Sequence, residues 1–83
     1  MNVNVRLSAG LAPLAGNSRL LVSLDEAATV ADLLRQLRRD YPAMAQQMDK
    51  AVPMIAGRYA ATGDRLAPGQ DVAILLPVAG GRG

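Results

Sequence analysis

Apolar and polar residues alternate from the start of the chain: Val3, Val5 and Leu7 fall between Asn2, Asn4 and Arg6, the period-two pattern of a strand with one buried face. Residues 8–17 break that pattern with Gly10, Pro13 and Gly16 around Leu11 and Leu14, which reads as a turn-rich connection. Alternation resumes over residues 19–24, with Leu20, Val22 and Leu24 on one side, so the first two strands are expected to form a hairpin with a long loop. The period then changes. Val30, Leu33, Leu34, Leu37 and Tyr41 recur at three- and four-residue steps, with Arg35, Gln36, Arg38 and Arg39 opposite, which predicts one amphipathic helix. Thr29 stands where a side chain caps free backbone donors, Asp32 favours the positive helix start, and the arginines favour its negative end. Pro42 stops the helix by excluding helical angles from Tyr41.

The second half is written in shorter units. Met44 and Met48, four apart among Gln46, Gln47 and Asp49, predict a short helical turn leaning on the core. Residues 52–60 are extended but interrupted by Gly57, which predicts a small hairpin bending at Ala56-Gly57-Arg58. Pro68-Gly69-Gln70-Asp71 is a turn, because Pro presets the first central angle and Gly accepts the positive φ that follows. Val72-Ala73-Ile74-Leu75-Leu76 is apolar almost throughout, so it is expected to be a central strand buried on both faces, ended by Pro77. Strand, strand, helix, short strands, strand predicts an α+β fold of the β-grasp type. In it a mixed sheet of about four to five strands packs on one main helix, and a right-handed crossover sets the last strand parallel to the first. The expected organisation is a β-grasp domain over residues 1–77 and a flexible di-glycine tail over residues 78–83.

Composition narrows the chemistry. A chain of 83 residues removes only about 60–65% of its surface from water on folding. With 51% hydrophobic residues but no Phe or Trp, its core must be built from Leu, Val, Ala, Ile and Met. Cys and His are both absent, which excludes disulfides, thiolate and imidazole metal cages, Ser-His triads and Cys-His pairs within this chain. A general base near neutrality would have to be a shifted carboxylate or Lys50. No catalytic residue, no metal site and no bound cofactor are therefore expected.

The net charge is +2, and the one cationic cluster, Arg35, Arg38 and Arg39, is flanked by Asp32 and Asp40 with no aromatic beside it for base stacking. It reads as a solvated helix face, so no nucleic-acid partner is expected. The N-terminus has no basic and apolar leader pattern, and no apolar run reaches the roughly 18–20 residues of a membrane span, so a cytoplasmic protein without a membrane partner is expected.

The remaining feature is the segment Pro77-Val78-Ala79-Gly80-Gly81-Arg82-Gly83. Two adjacent glycines lack Cβ atoms and pass through channels too narrow for other residues, which suits a main-chain carboxyl group used as a chemical handle. Residues 64–81, with Leu66, the turn Pro68-Gly69-Gln70-Asp71, the apolar run, Pro77 and the pair Gly80-Gly81 in one order, resemble the C-terminal signature of the ubiquitin-like sulfur carriers. That family includes the molybdopterin synthase small subunit and the thiamine-thiazole sulfur carrier. Weaker similarity runs from Val3 onward, and Pro-Val-Ala-Gly-Gly most resembles the molybdopterin branch.

The resemblance implies that Gly81 supplies a carboxylate that is adenylated and converted to a thiocarboxylate, with Gly80 and Gly81 threading the tail into partner pockets. It implies an E1-like adenylating and sulfurtransferase enzyme that consumes ATP, and a sulfur-consuming partner such as the molybdopterin synthase large subunit. Leu75, Pro77 and Val78, with Met54 and Tyr59 from neighbouring strands, are the candidate docking surface, the alternative being that Leu75 and Met54 belong to the core.

Two departures stand out. Arg82 and Gly83 follow the glycine pair, so Gly81 is held in a peptide bond. Either a zinc-dependent peptidase trims the precursor, or Gly83 is itself the activated end, or carrier function is lost. The other departure is Ala56 before Gly57, where relatives carry Asn; Ala resists a left-handed backbone, so this bend is expected to differ in shape. Delivery to thiazole, cysteine, tRNA or a specialised metabolite, conjugation to other proteins, and a plain interaction module remain alternatives.

Overall fold

Val3, Val5 and Leu7 are buried along β1 (Asn2–Leu7) while the residues between them are exposed, as the alternation requires. The computed structural model describes residues 1–77. The connection after β1 holds one element the sequence did not announce, the single-turn helix α1 (Ala12–Ala15). It follows buried Leu11 and closes on Gly16 in the left-handed conformation, φ 82°. β2 (Arg19–Ser23) then returns antiparallel to β1, burying Leu20 and Val22.

α2 (Val30–Asp40) starts at a reciprocal cap. The Asp32 N–H donates to Thr29 Oγ1 at 3.3 Å and the Thr29 N–H donates to Asp32 Oδ2 at 2.9 Å. The Thr29 hydroxyl also donates to Asp32 Oδ2, at 3.1 Å, and the bonds that the carboxylate accepts from the Thr29 N–H and then from this hydroxyl, with smaller help from Arg35, hold the Asp32 carboxyl below its ordinary value of 3.8. Val30, Leu33 and Leu37 are buried, and Leu34 and Tyr41 pack against them at the margin. The outward arginines are spoken for: Arg35 pairs with Asp32 at 3.0 Å, Arg38 with Asp49 at 3.2 Å and Arg39 with Asp40 at 3.9 Å. α3 (Pro42–Met48) begins on the proline that ends α2, since Pro fits a first helical turn, and buries Met44 and Met48.

β3 (Val52–Ile55) and β4 (Arg58–Tyr59) form the small hairpin, and β5 (Asp71–Leu75) follows the turn over Pro68 and Gly69, where Gly69 takes φ 76° and the Gln70 N–H donates to the Ala67 carbonyl at 3.1 Å. Pro53 sits in β3 without breaking it. Its carbonyl accepts from the Ala60 N–H, so its missing donor falls on the β4 side, next to the sheet edge. The sheet order is β2-β1-β5-β3-β4, with β1 and β5 parallel and the other pairs antiparallel. This is the β-grasp arrangement.

Two expectations are corrected. β5 is central in the sheet, yet it is buried on one face only: Val72 and Ile74 are buried whereas Leu75 is 37% exposed. The reason is that the buried helix residues and the buried strand residues form one cluster on a single side of the sheet, leaving the other side uncovered among the described residues. At the β3–β4 bend, Ala56 does adopt the left-handed backbone that its Cβ disfavours, φ 52°, followed by Gly57 at φ 77°. Positive φ at both central residues matches the right-handed twist of the flanking strands, and the ladder prevails over the local preference of Ala.

Candidate functional site

Strand register assembles the uncovered face. Opposite partners share a side, so Arg19, Arg6, Ala73, Met54 and Tyr59 form one rung across all five strands. Leu21, Asn4 and Asp71 form the rung toward the start of β5, while Val52 and Leu75 form the rung toward its end. A shallow depression of about 600 Å³ crosses this face, walled by Arg6 and Arg19 on one side and by Met54, Ala73 and Leu75 on the other. Tyr59 is 79% exposed and Leu21 69% exposed. Large apolar side chains this open on an uncovered sheet face are what a docking surface offers.

Of the residues singled out from sequence, Leu75, Met54 and Tyr59 lie together on this face, and exposed Pro77 stands just beyond Leu75. Leu75 and Met54 are not core: neither belongs to the buried cluster. Val78, Gly80, Gly81 and Gly83 lie outside the described residues.

The segment leading to them is anchored by residues that sequence reasoning missed. The Ser8 N–H donates to the Ile74 carbonyl at 3.0 Å, and the Leu76 N–H donates to Ser8 Oγ at 3.1 Å. The Leu76 side chain packs toward the core over Gly10, where an added Cβ would stand 2.9 Å from Leu76 Cδ1. Ser8 and Gly10 therefore hold the chain on the sheet until Pro77. Only the coincidence of β1's end with β5's end brings them there, and strand alternation carries no signal of it. Arg6, Arg19 and Leu21 were likewise overlooked. Their outward phase was legible in the alternation, but the rung they share needed the register.

Among the described residues no group of acidic residues has the spacing to hold a metal ion, and no helix is long and apolar enough to cross a membrane. Among the described residues this face presents shape, apolar area, two guanidinium groups and the Asp71 carboxylate.

Comparison with known proteins places this geometry. The ThiS family profile matches residues 5–81. SAMP1 from Haloferax volcanii is 31% identical, with 96% of this chain and 99% of that chain covered and a TM-score of 0.84. A Pyrococcus furiosus protein assigned as molybdopterin converting factor, subunit 1, is 24% identical over 94% of this chain and 99% of that one, TM-score 0.86. The Caldiarchaeum subterraneum ubiquitin is 19% identical over 96% of each chain, TM-score 0.66. The last two likenesses show the shared fold alone. No curated protein sequence matches the chain.

Proposed function

The chain belongs to the ThiS family of ubiquitin-like sulfur carriers, and from that membership we propose that it carries sulfur on the main-chain carboxyl group of Gly81, as the small subunit of a molybdopterin-forming complex. The observation that carries this reading is where the family match stops: at Gly81, the second glycine of the pair, with Arg82 and Gly83 beyond it.

Hydrolysis of the Gly81–Arg82 bond by a zinc-dependent peptidase would free the carboxylate. One of its oxygens attacks the α-phosphorus of ATP on an E1-like partner, pyrophosphate leaves, and the resulting acyl adenylate is an electrophile that the carboxylate was not. The terminal sulfur of a partner's persulfide attacks that carbonyl and expels AMP. A thiol then cleaves the acyl disulfide, leaving the thiocarboxylate on Gly81. Each step uses partner side chains, which suits a chain without Cys or His. This protein contributes a handle, a narrow tail and a docking face; the sulfur-consuming large subunit completes the reaction.

Identity of 31% with a small archaeal modifier protein favours a second reading, conjugation of Gly81 to lysines of other proteins. Intact-mass measurement after incubation with the peptidase, the activating enzyme, ATP and a sulfur source separates the two. Loss of Arg82 and Gly83 followed by exchange of one oxygen for sulfur is the carrier's outcome. A ladder of conjugates without that exchange establishes the modifier, and an unchanged mass refutes both.

A further inference from the structure

Arg6 and Arg19 are direct partners across β1 and β2, and the ladder makes theirs a close-set pair. The Leu7 N–H donates to the Ser18 carbonyl and the Leu24 N–H donates to the Met1 carbonyl. Hydrogen-bonded pairs therefore fall at the odd-numbered residues of β1, and Arg6 with Arg19 occupies the alternate kind, where opposing side chains stand nearest. Two like charges placed there repel. Neither guanidinium makes an ion pair or a hydrogen bond among the described residues, whereas each of the three arginines of α2 has a carboxylate. Asp71, which faces the same depression one rung away, pairs with neither.

Without such a partner among the described residues, the pair rims the depression whose opposite wall is Met54, Ala73 and Leu75. A partner that sets carboxylates between the two guanidinium groups removes their repulsion and covers the apolar wall in one step. Resting on the carrier reading, we infer that the activating enzyme docks on this face through an acidic patch that occupies the Arg6–Arg19 pair while its apolar side chains bury against Leu75 and Met54. A nucleic acid fits less well: Asp71 repels phosphates from the same depression, and the single aromatic of the face, Tyr59, stands on the far edge strand. A second copy packed face to face sets the same two guanidinium groups against this pair, with Asp71 the one carboxylate lining the depression.

The test is ATP–pyrophosphate exchange by the activating enzyme of the source organism with the chain processed at Gly81. The double variant R6Q/R19Q raises KM for the carrier about tenfold at low ionic strength with kcat unchanged, and the gap closes as salt screens the contact. R6K/R19K retains most of the affinity, because the charge is kept. Thermal unfolding of R6Q/R19Q at or above the wild-type midpoint shows that the lost affinity is not lost folding. An unchanged KM and salt slope in R6Q/R19Q overturns the inference while leaving the carrier reading intact. So does arginine-dependent binding of a single-stranded RNA oligonucleotide without that KM change. A wild-type chain that the enzyme does not adenylate overturns the carrier reading, and the inference with it.

Discussion

Ala56 is where residue-scale preference and the ladder disagree most openly. Its Cβ disfavours φ 52°, yet a two-residue link between β3 and β4 needs positive φ at both central positions. A left-handed Ala costs about 1 kcal/mol. Asn hydrogen-bonds locally and visits that region more freely, so Ala56→Asn is expected to raise stability by about 0.5–1 kcal/mol. A urea unfolding midpoint at or below that of wild type would show that the bend is not strained. The glycines told more at this scale: Gly57 and Gly69 each marked a turn in the sequence and each takes positive φ. Leu75 and Met54 told less, because an apolar residue on a strand reads alike whether it meets a helix or a partner protein.

At the scale of elements, α2 was the most legible, since eleven residues repeat the three- and four-step pattern often enough to outvote any single exception. Its start depends on one reciprocal cap, and the pH response of that cap follows from its sign. The Asp32 carboxyl titrates below its ordinary value of 3.8 because the charged form accepts from Thr29. A depressed folded value means that the contribution is fully present above the unfolded value and is lost as pH falls through the folded one. The loss therefore lies on the acid side of 3.8. Carboxyl NMR of Asp32 is expected to give a midpoint below 3.8, and Thr29→Ala to cost about 1 kcal/mol at neutral pH and less once Asp32 is protonated. A midpoint at or above the ordinary value would refute the cap. α1 was illegible for the opposite reason, a single turn being too short to show a period. β5 was misread as buried on both faces because Ala73 and Leu75 fill its outward positions with apolar residues and Leu76 prolongs the apolar run beyond the strand. Ala73 and Leu75 face the open side, and Leu76 folds over Gly10.

At the scale of the whole molecule, the buried cluster among the described residues draws on β1, β2, α2, α3 and β5 and on loop residues such as Leu11 and Leu66. Removing residues 81–83, which follow the last strand, is expected to leave the unfolding free energy within about 0.5 kcal/mol of the full chain while abolishing sulfur delivery. Calorimetry and a delivery assay check the two halves, and a truncated protein that still delivers sulfur rules out Gly81 as the handle. By itself the sequence determined the order of the elements apart from α1, the parallel last strand, the start of α2, the turns and the family signature, because these follow from short-range periodicity, backbone sterics and local motif order. Only the tertiary structure decided that one sheet face stays bare, that Met54, Tyr59 and Leu75 share it, that Ser8 and Gly10 anchor the chain after β5, and that Arg6 opposes Arg19. Those facts depend on strand register and on which side the helices cover, and both are set by long-range packing that no local pattern along the chain records.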